Sequence, residues 1–317
     1  MLRITVRACA LVLAIAVPLR AEAQSMKVTL LGTGSPAPIV ERFGPSTLVE
    51  AGTEKLVFDA GRGVTQRLWQ LNIPLRAVTA LFITHLHSDH VVGIPDLWLT
   101  GWTAPAYGQR TTPFRVWGPR GTRDMMSHLR SAYAEDLRIR MEDERLPPRG
   151  IAVEATDVTQ GLIYQRNGVK VTVFTVDHGP AIRPAFGYRV EYGGRSVVIV
   201  GDTRATENVV RFAKGSDLLI YPMALASSGA PIEPTVRLHF TSPEDAGRIF
   251  ERVSSRLVIY NHIILLGDPP PTLQDVRMRT RMTYSGPLEI GEDLMMIDVG
   301  EELGVHHPEK VCAASCQ

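Results

Sequence analysis

The sequence predicts an α+β protein. Short β-branched runs and a few amphipathic helical stretches follow one another along 317 residues, separated by turn chemistry. Composition agrees: 44% hydrophobic and 21% charged residues, with 27 Gly and 22 Pro, exclude disordered, collagen-like and coiled-coil chains. A third observation concerns chemistry. His85, His87, Asp89 and His90 crowd into one short stretch directly behind the apolar run Leu81-Phe82-Ile83.

Strands are expected at Lys27–Leu31, Leu56–Phe58, Ala80–Ile83, Val169–Val176, Tyr188–Tyr192, Ser196–Val200, Leu218–Tyr221, Leu257–Tyr260 and Leu294–Val299. Gly193-Gly194 between two of these runs is a two-residue hairpin signal. Gly63–Leu71 puts Val64, Leu68 and Leu71 on one helical face, and Thr122–Tyr133 is a second helix. Ser242–Val253 starts with a Ser cap, Pro243 at the first position and Asp245 three residues after the cap, which resembles a capping box. Leu146-Pro147-Pro148-Arg149-Gly150 has linker composition. It is short and has strands on both sides, so it is expected to be an internal loop of one domain spanning 24–317.

Residues 1–23 have the pattern of a secretory signal peptide. Arg3 and Arg7 form a basic start, Ala8–Leu19 an apolar stretch too short to span a bilayer, and Ala21-Glu22-Ala23 a cleavage site. A periplasmic or secreted protein is therefore expected. Removal of 1–23 leaves 31 basic and 32 acidic residues of the original 34 and 33, a net charge of −1. Such a balance offers no whole-protein field for nucleic acid or anionic lipid. Cleavage also removes Cys9 and leaves Cys312 and Cys316, which either close a small loop or stay as free thiols.

The spacing H-x-H-x-D-H sets imidazole and carboxylate groups on one turn past a strand end. Those donors suit zinc, with manganese or iron as alternatives. One loop cannot complete a site. Further candidates follow other expected strands: His178 after Val169–Val176, Asp202 after Ser196–Val200, and His262 after Leu257–Tyr260.

These motifs resemble the metallo-β-lactamase superfamily, and within it the branch containing ribonuclease Z, the secreted arylsulfatases and related phosphodiesterases. The likeness runs through Leu-Leu-Gly-Thr-Gly-Ser-Pro at 30–36, Phe-Asp-Ala-Gly at 58–61, the H-x-H-x-D-H loop, Asp-His-Gly at 177–179, Gly-Asp-Thr at 201–203, His239-Phe-Thr-Ser, and Asn261-His262. The resemblance implies a four-layer αββα sandwich with two zinc ions at one edge. It assigns His85, His87 and His178 to the first metal, Asp89, His90 and His262 to the second, and Asp202 to both. It makes Asp59 an orienting carboxylate behind them, and gives Asp89 and His239 catalytic roles, His239 as a proton donor beside the metals. The alternative for Asp59 is a turn-forming residue, and for His239 a helix-entry residue capping the Thr241–Ser242 turn.

The leading expectation is a dinuclear-zinc ester hydrolase acting on a small-molecule ester, most like an arylsulfatase or phosphodiesterase. A homodimer without a membrane anchor is implied. Nucleic acid is not expected, on four grounds: the leader, the charge, the short interval between His178 and Asp202, and Ile39–Gly44, which lacks the Arg-Asn pair of ribonuclease Z. The alternatives are a ribonuclease Z-type endonuclease, a lactonase or a β-lactamase. Against the last stands Asp202, a bridging carboxylate that zinc β-lactamases do not use. A non-enzymatic metal-binding protein would be marked by lost ligands, and none is missing. Trp98, Trp102 and Tyr107 are candidates for the substrate wall or for core, with Met223 and Leu225 as further wall candidates. His128 and His306-His307 are expected at the surface.

Overall fold

Along Ser196–Val200, side chains enter two different apolar layers. Val197 and Ile199 face one, Val198 and Val200 the other. A strand buried on both faces belongs inside a layered molecule. The computed structural model describes residues 25–308. The expected leader at 1–23 and both Cys312 and Cys316 lie outside the described residues.

The first sheet contains β1 (Met26–Gly32), β2 (Ser46–Ala51), β3 (Glu54–Phe58), β4 (Ala80–Phe82), β5 (Phe114–Gly118) and β6 (Val153–Asp157). The second contains β7 (Gly161–Arg166), β8 (Val169–Val176), β9 (Ala185–Tyr192), β10 (Arg195–Val200), β11 (Leu218–Ala226), β12 (Leu257–Leu266) and β13 (Leu288–Ile290). The chain then returns to the first sheet with β14 (Met296–Val299) and β15 (Leu303–His306). The orders are β15-β14-β1-β2-β3-β4-β5-β6 and β13-β12-β11-β10-β9-β8-β7.

The sheets meet through Val28, Leu30, Phe58, Phe82, Val171, Tyr188, Ile199 and Ile259. Phe82 stacks between Phe58 and Trp117, with ring centroids 5.0 and 5.4 Å away. Helices α1 (Val64–Gln70), α2 (Ser88–Val91), α3 (Ile94–Thr100), α4 (Thr122–Ala132), α5 (Ala134–Glu142) and α6 (Pro148–Ile151) follow strands of the first sheet. Leu68, Leu97, Met126 and Leu137 pack there against Leu48, Val57 and Leu81. Helices α7 (Glu207–Ala213), α8 (Glu233–His239), α9 (Pro243–Val253) and α10 (Leu273–Arg281) accompany the second sheet. Val209, Phe250 and Val276 seal its outer face. The result is the expected αββα sandwich.

Some local expectations change. Leu294 has φ +67° and turns the chain, so the last expected strand begins only at Met296. The loop at 146–150 includes the start of α6. Ser242 caps α9 by accepting from the Asp245 N–H, but the Asp245 carboxylate accepts from the Ser242 hydroxyl instead of its backbone N–H. The complete capping box belongs to α10, at Thr272 and Asp275. Gly193 and Gly194 do form the β9–β10 hairpin, at φ +56° and +77°.

The ends of β4, β8 and β10 open on one edge, where Gly61 brings three backbone segments together. A Cβ on Gly61 would lie 2.4 Å from the Gly44 carbonyl carbon and 2.7 Å from the Asp89 oxygen. Neither main-chain atom has a rotamer to yield. Gly61→Ala is therefore expected to cost about 1–3 kcal/mol in denaturant unfolding, the usual penalty of overpacking. An unchanged midpoint would show that the three backbones have room.

Candidate metal centre

The apolar strand β4 holds the sheet to Phe82, and the chain then turns out through Thr84–His87 into the single turn of α2. This puts His85 and His90 inside the edge and leaves His87 exposed and Asp89 half-buried. His178 follows β8, and Asp202 follows β10. His262 differs from its expected place. It lies within β12, not after it, at a bulge where the pairing with β11 shifts register and its φ is +47°.

The ligating atoms form two groups, His85–His87–His178–Asp202 and Asp89–His90–His262, each with atoms within 4.8 Å of one another. Asp202 Oδ2 faces both groups. It lies 3.6 Å from His178 Nε2 and 4.0 Å from His85 Nε2, and 3.1 Å from His262 Nε2 and 3.7 Å from His90 Nε2.

Hydrogen bonds behind the rings decide which nitrogen is free. His90 Nδ1 donates to Asp59 Oδ2 at 2.8 Å. Thr84 Oγ1 donates to the same oxygen at 2.8 Å and so accepts from His85 Nδ1 at 3.0 Å. His178 Nδ1 donates to the His239 carbonyl at 3.1 Å, and His262 Nδ1 to the Gly34 carbonyl at 2.8 Å. Four rings therefore present an Nε2 lone pair to the interior. His87 presents Nδ1 instead, 3.0 Å from His85 Nε2. Asp59 bonds His90 directly and reaches His85 through Thr84, a placement that fits the expected orienting carboxylate. It also makes a turn, at φ +57°.

The donor set fits divalent cations. His90 Nε2 and His262 Nε2 approach to 3.1 Å, so two lone pairs face one another. Asp202 Oδ1 is buried without a hydrogen-bond partner, a costly state for a carboxylate oxygen that a cation would relieve. Burial lowers the pKa of His85, His87 and His178, which favours neutral, ligating rings. Burial works against a charge on His90 too, but Asp59 and Asp202 outweigh it and hold that pKa well above the usual imidazole value. Burial likewise opposes the Asp202 carboxylate, yet His262 and His90 hold its pKa well below the ordinary range. A field that favours a proton at this spot favours a metal cation more.

The cleft over these groups measures about 340 Å³. Its apolar wall comes from Ile182, Ile232, Phe240, Ile264 and Leu266. The tryptophan candidates are corrected. Trp98 and Trp102 are fully buried, and their Nε1–H groups donate to the Ile151 and Pro147 carbonyls. Tyr107 packs edge-on against Trp69 in a separate surface hollow. Met223 is buried in the outer core, and Leu225 lines a neighbouring cavity. The real wall was partly visible as the apolar run Ile263–Leu266 directly behind His262; Gly34 lay in the 30–36 motif without a role assigned to it, and Thr84 carried no signal of its own. His239 closes α8 and lines the cleft, its Nδ1 2.9 Å from the His178 carbonyl, and it does not bond the Thr241–Ser242 turn. His128, His306 and His307 are exposed.

A family model described as β-lactamase superfamily domain matches residues 54–263. A relative from Mycobacterium sp. (strain KMS), named ribonuclease Z, is 34% identical over 282 residues, covering 86% of this chain and 96% of the relative. Among solved structures, the metallo-β-lactamase fold protein YhfI from Bacillus subtilis has TM-score 0.69 at 17% identity, covering 86% and 99%. The short form of human tRNase Z has TM-score 0.64 at 21% identity, also covering 86% and 99%. These two likenesses show the fold. The ribonuclease Z relative overturns the expectation of a small-molecule ester substrate without nucleic acid. Net charge was a poor guide because it is a sum over the surface, whereas bound cations would supply positive charge where a phosphate reacts.

Asp59→Asn removes the charge that stabilises His90 and puts an amide where Oδ1 and Oδ2 now accept. Zinc affinity in chelator competition is expected to fall about 10–100-fold, typical for loss of a partner behind a ligand. Wild-type affinity would leave Asp59 with the turn alone.

Proposed function

The chain belongs to the metallo-β-lactamase superfamily, and from that premise we propose that it is a metal-dependent phosphodiesterase of the ribonuclease Z type, cutting RNA. The observation that supports this most is a full set of seven ligand candidates, Asp202 and six around it, in a chain 34% identical to a ribonuclease Z. His85, His87 and His178 would hold one divalent ion, Asp89, His90 and His262 another, and Asp202 would serve both. Zinc is the ion these donors suit best. When bound, such a pair supplies Lewis acidity towards phosphate oxygens and lowers the pKa of water.

The chain's own groups do the rest. Ile182, Ile232, Phe240, Ile264 and Leu266 form an apolar surface beside the ligand groups, fitted to the face of a base or sugar next to the scissile bond. A volume of about 340 Å³ is at the small end for ligand sites, so the cleft takes only the neighbourhood of that bond. His239 uses Nδ1 on the His178 carbonyl, which leaves Nε2 for the substrate. As an imidazolium it gives its Nε2 proton to the departing ribose oxygen, a poor leaving group without one.

Zinc-loaded protein incubated with end-labelled RNA is expected to cut it in the presence of metal and to stop on chelation. Turnover of a nitrophenyl sulfate with RNA left intact would overturn the proposal. His239→Ala separates proton transfer from metal binding. His178 donates to the main-chain oxygen of residue 239, a bond that alanine keeps. Metal content should stay at the wild-type level while RNA cleavage falls by about 10²–10⁴-fold. The loss should be smaller on bis-nitrophenyl phosphate, whose leaving group needs no proton. Loss of metal from the variant would instead make His239 a ligand.

A further inference from the structure

His262 stands apart from the other candidate ligands. It adopts φ +47° inside a strand, where a residue with a bulky side chain rarely stays unless its surroundings hold it. Two carbonyls of one turn hold it. The Gly34 carbonyl accepts from His262 Nδ1 at 2.8 Å, and the neighbouring Thr33 carbonyl accepts from the Ile263 N–H at 2.8 Å. One bond fixes the ring and its tautomer; the other fixes the backbone just past the bulge.

That turn is fixed in its own right by a carboxylate remote in sequence. Asp293 Oδ1 accepts from both the N–H and the hydroxyl of Thr33, each at 2.8 Å. Asp293 Oδ2 accepts from the Phe43 N–H at 2.7 Å and from Arg67 Nη2 at 2.9 Å. The Thr33 hydroxyl also receives Arg42 Nη1 at 2.7 Å, and Arg42 ties on to the Gly291 carbonyl at 2.6 Å. Asp293 is 7% exposed, so these bonds face little competition from water.

We propose that Asp293 is a positioning residue for the second metal group, acting through the Thr33–Gly34 turn on His262. The proposal rests on reading His262 as a ligand. Asp293 touches no candidate ligand itself. The other group, His85, His87 and His178, takes its outer bonds from Thr84 and the His239 carbonyl, neither of which touches Asp293. An effect confined to one ion is therefore the signature that general damage to the fold would not produce.

Asp293→Asn keeps the shape but turns an amide donor towards groups that already donate. Zinc binding to the whole protein is measured by stepwise competition with a chromogenic chelator, alongside a melting curve of the metal-free variant. The expected result is one ion bound as in the wild type and the second weakened about 10–100-fold. Wild-type binding of both ions, or equal weakening of both, would overturn the proposal. A wild-type protein that binds no second ion would fail the reading of His262 as ligand instead, so the two failures differ. Should Asp293→Asn not fold, Arg67→Met removes one donor from the same carboxylate, and the same selective weakening of the second ion is expected; equal weakening there overturns the proposal.

Discussion

Seven candidate ligating groups with lone pairs turned towards one another are the constraint on which this edge of the molecule depends. Every imidazole that offers Nε2 inwards must place its Nδ1–H on an acceptor outside the cluster. The acceptors are Asp59, Thr84, and the main-chain oxygens of His239 and Gly34. Each belongs to a different part of the chain. The loop after β4, the end of α8 and the turn after β1 are therefore held to the ligands as firmly as the ligands are held to them. The layered core supplies the rigidity that makes such positioning possible: Phe58 and Phe82, just before Asp59 and Thr84 in the chain, lie between the sheets and pack against Tyr188.

The same geometry would couple folding to the binding of any cation. Asp202 and four histidines are buried together, with one carboxylate oxygen lacking any partner. Gathering such groups in a low-dielectric edge is unfavourable by itself, and the apolar sheets must offset it. Any cation that binds the assembled cluster and not the unfolded chain adds to stability by mass action. Metal content and folding stability would then be two readings of one cluster.

The grouping of these candidate ligands was legible in the sequence because its densest part is local. H-x-H-x-D-H needs no tertiary information, and His178 and Asp202 are announced by the strands before them. His262 was legible as a ligand candidate but not as a strand residue, because its bulge arises from pairing with β11. Strands β2, β5, β6, β7, β13 and β15 went unseen: Phe114–Gly118 mixes Arg and Trp into a short run, and Gly161–Arg166 is half exposed. Asp293 and Thr33, 260 positions apart, meet only in the fold. Trp98 and Trp102 misled through proximity in sequence: α3 turns them away from the loop they follow, into the core under α6.

Chain-wide quantities misled for a different physical reason. Net charge describes the whole molecule and the His178–Asp202 interval only one connection, whereas recognition of a phosphodiester is decided within a few ångströms of the reacting bond. A field that raises the pKa of one buried histidine and depresses that of a neighbouring carboxylate is a local property, set by Asp59 and Asp202 for His90 and by His262 and His90 for Asp202, and insensitive to distant lysines. With cations in place, the charge facing a substrate is theirs. The surface around the cleft is left to provide shape, and here that surface is apolar. A near-neutral protein with such an edge is therefore as able to hold a polyanion at its reacting bond as a strongly basic one, while lacking the long-range attraction that would bring it there quickly.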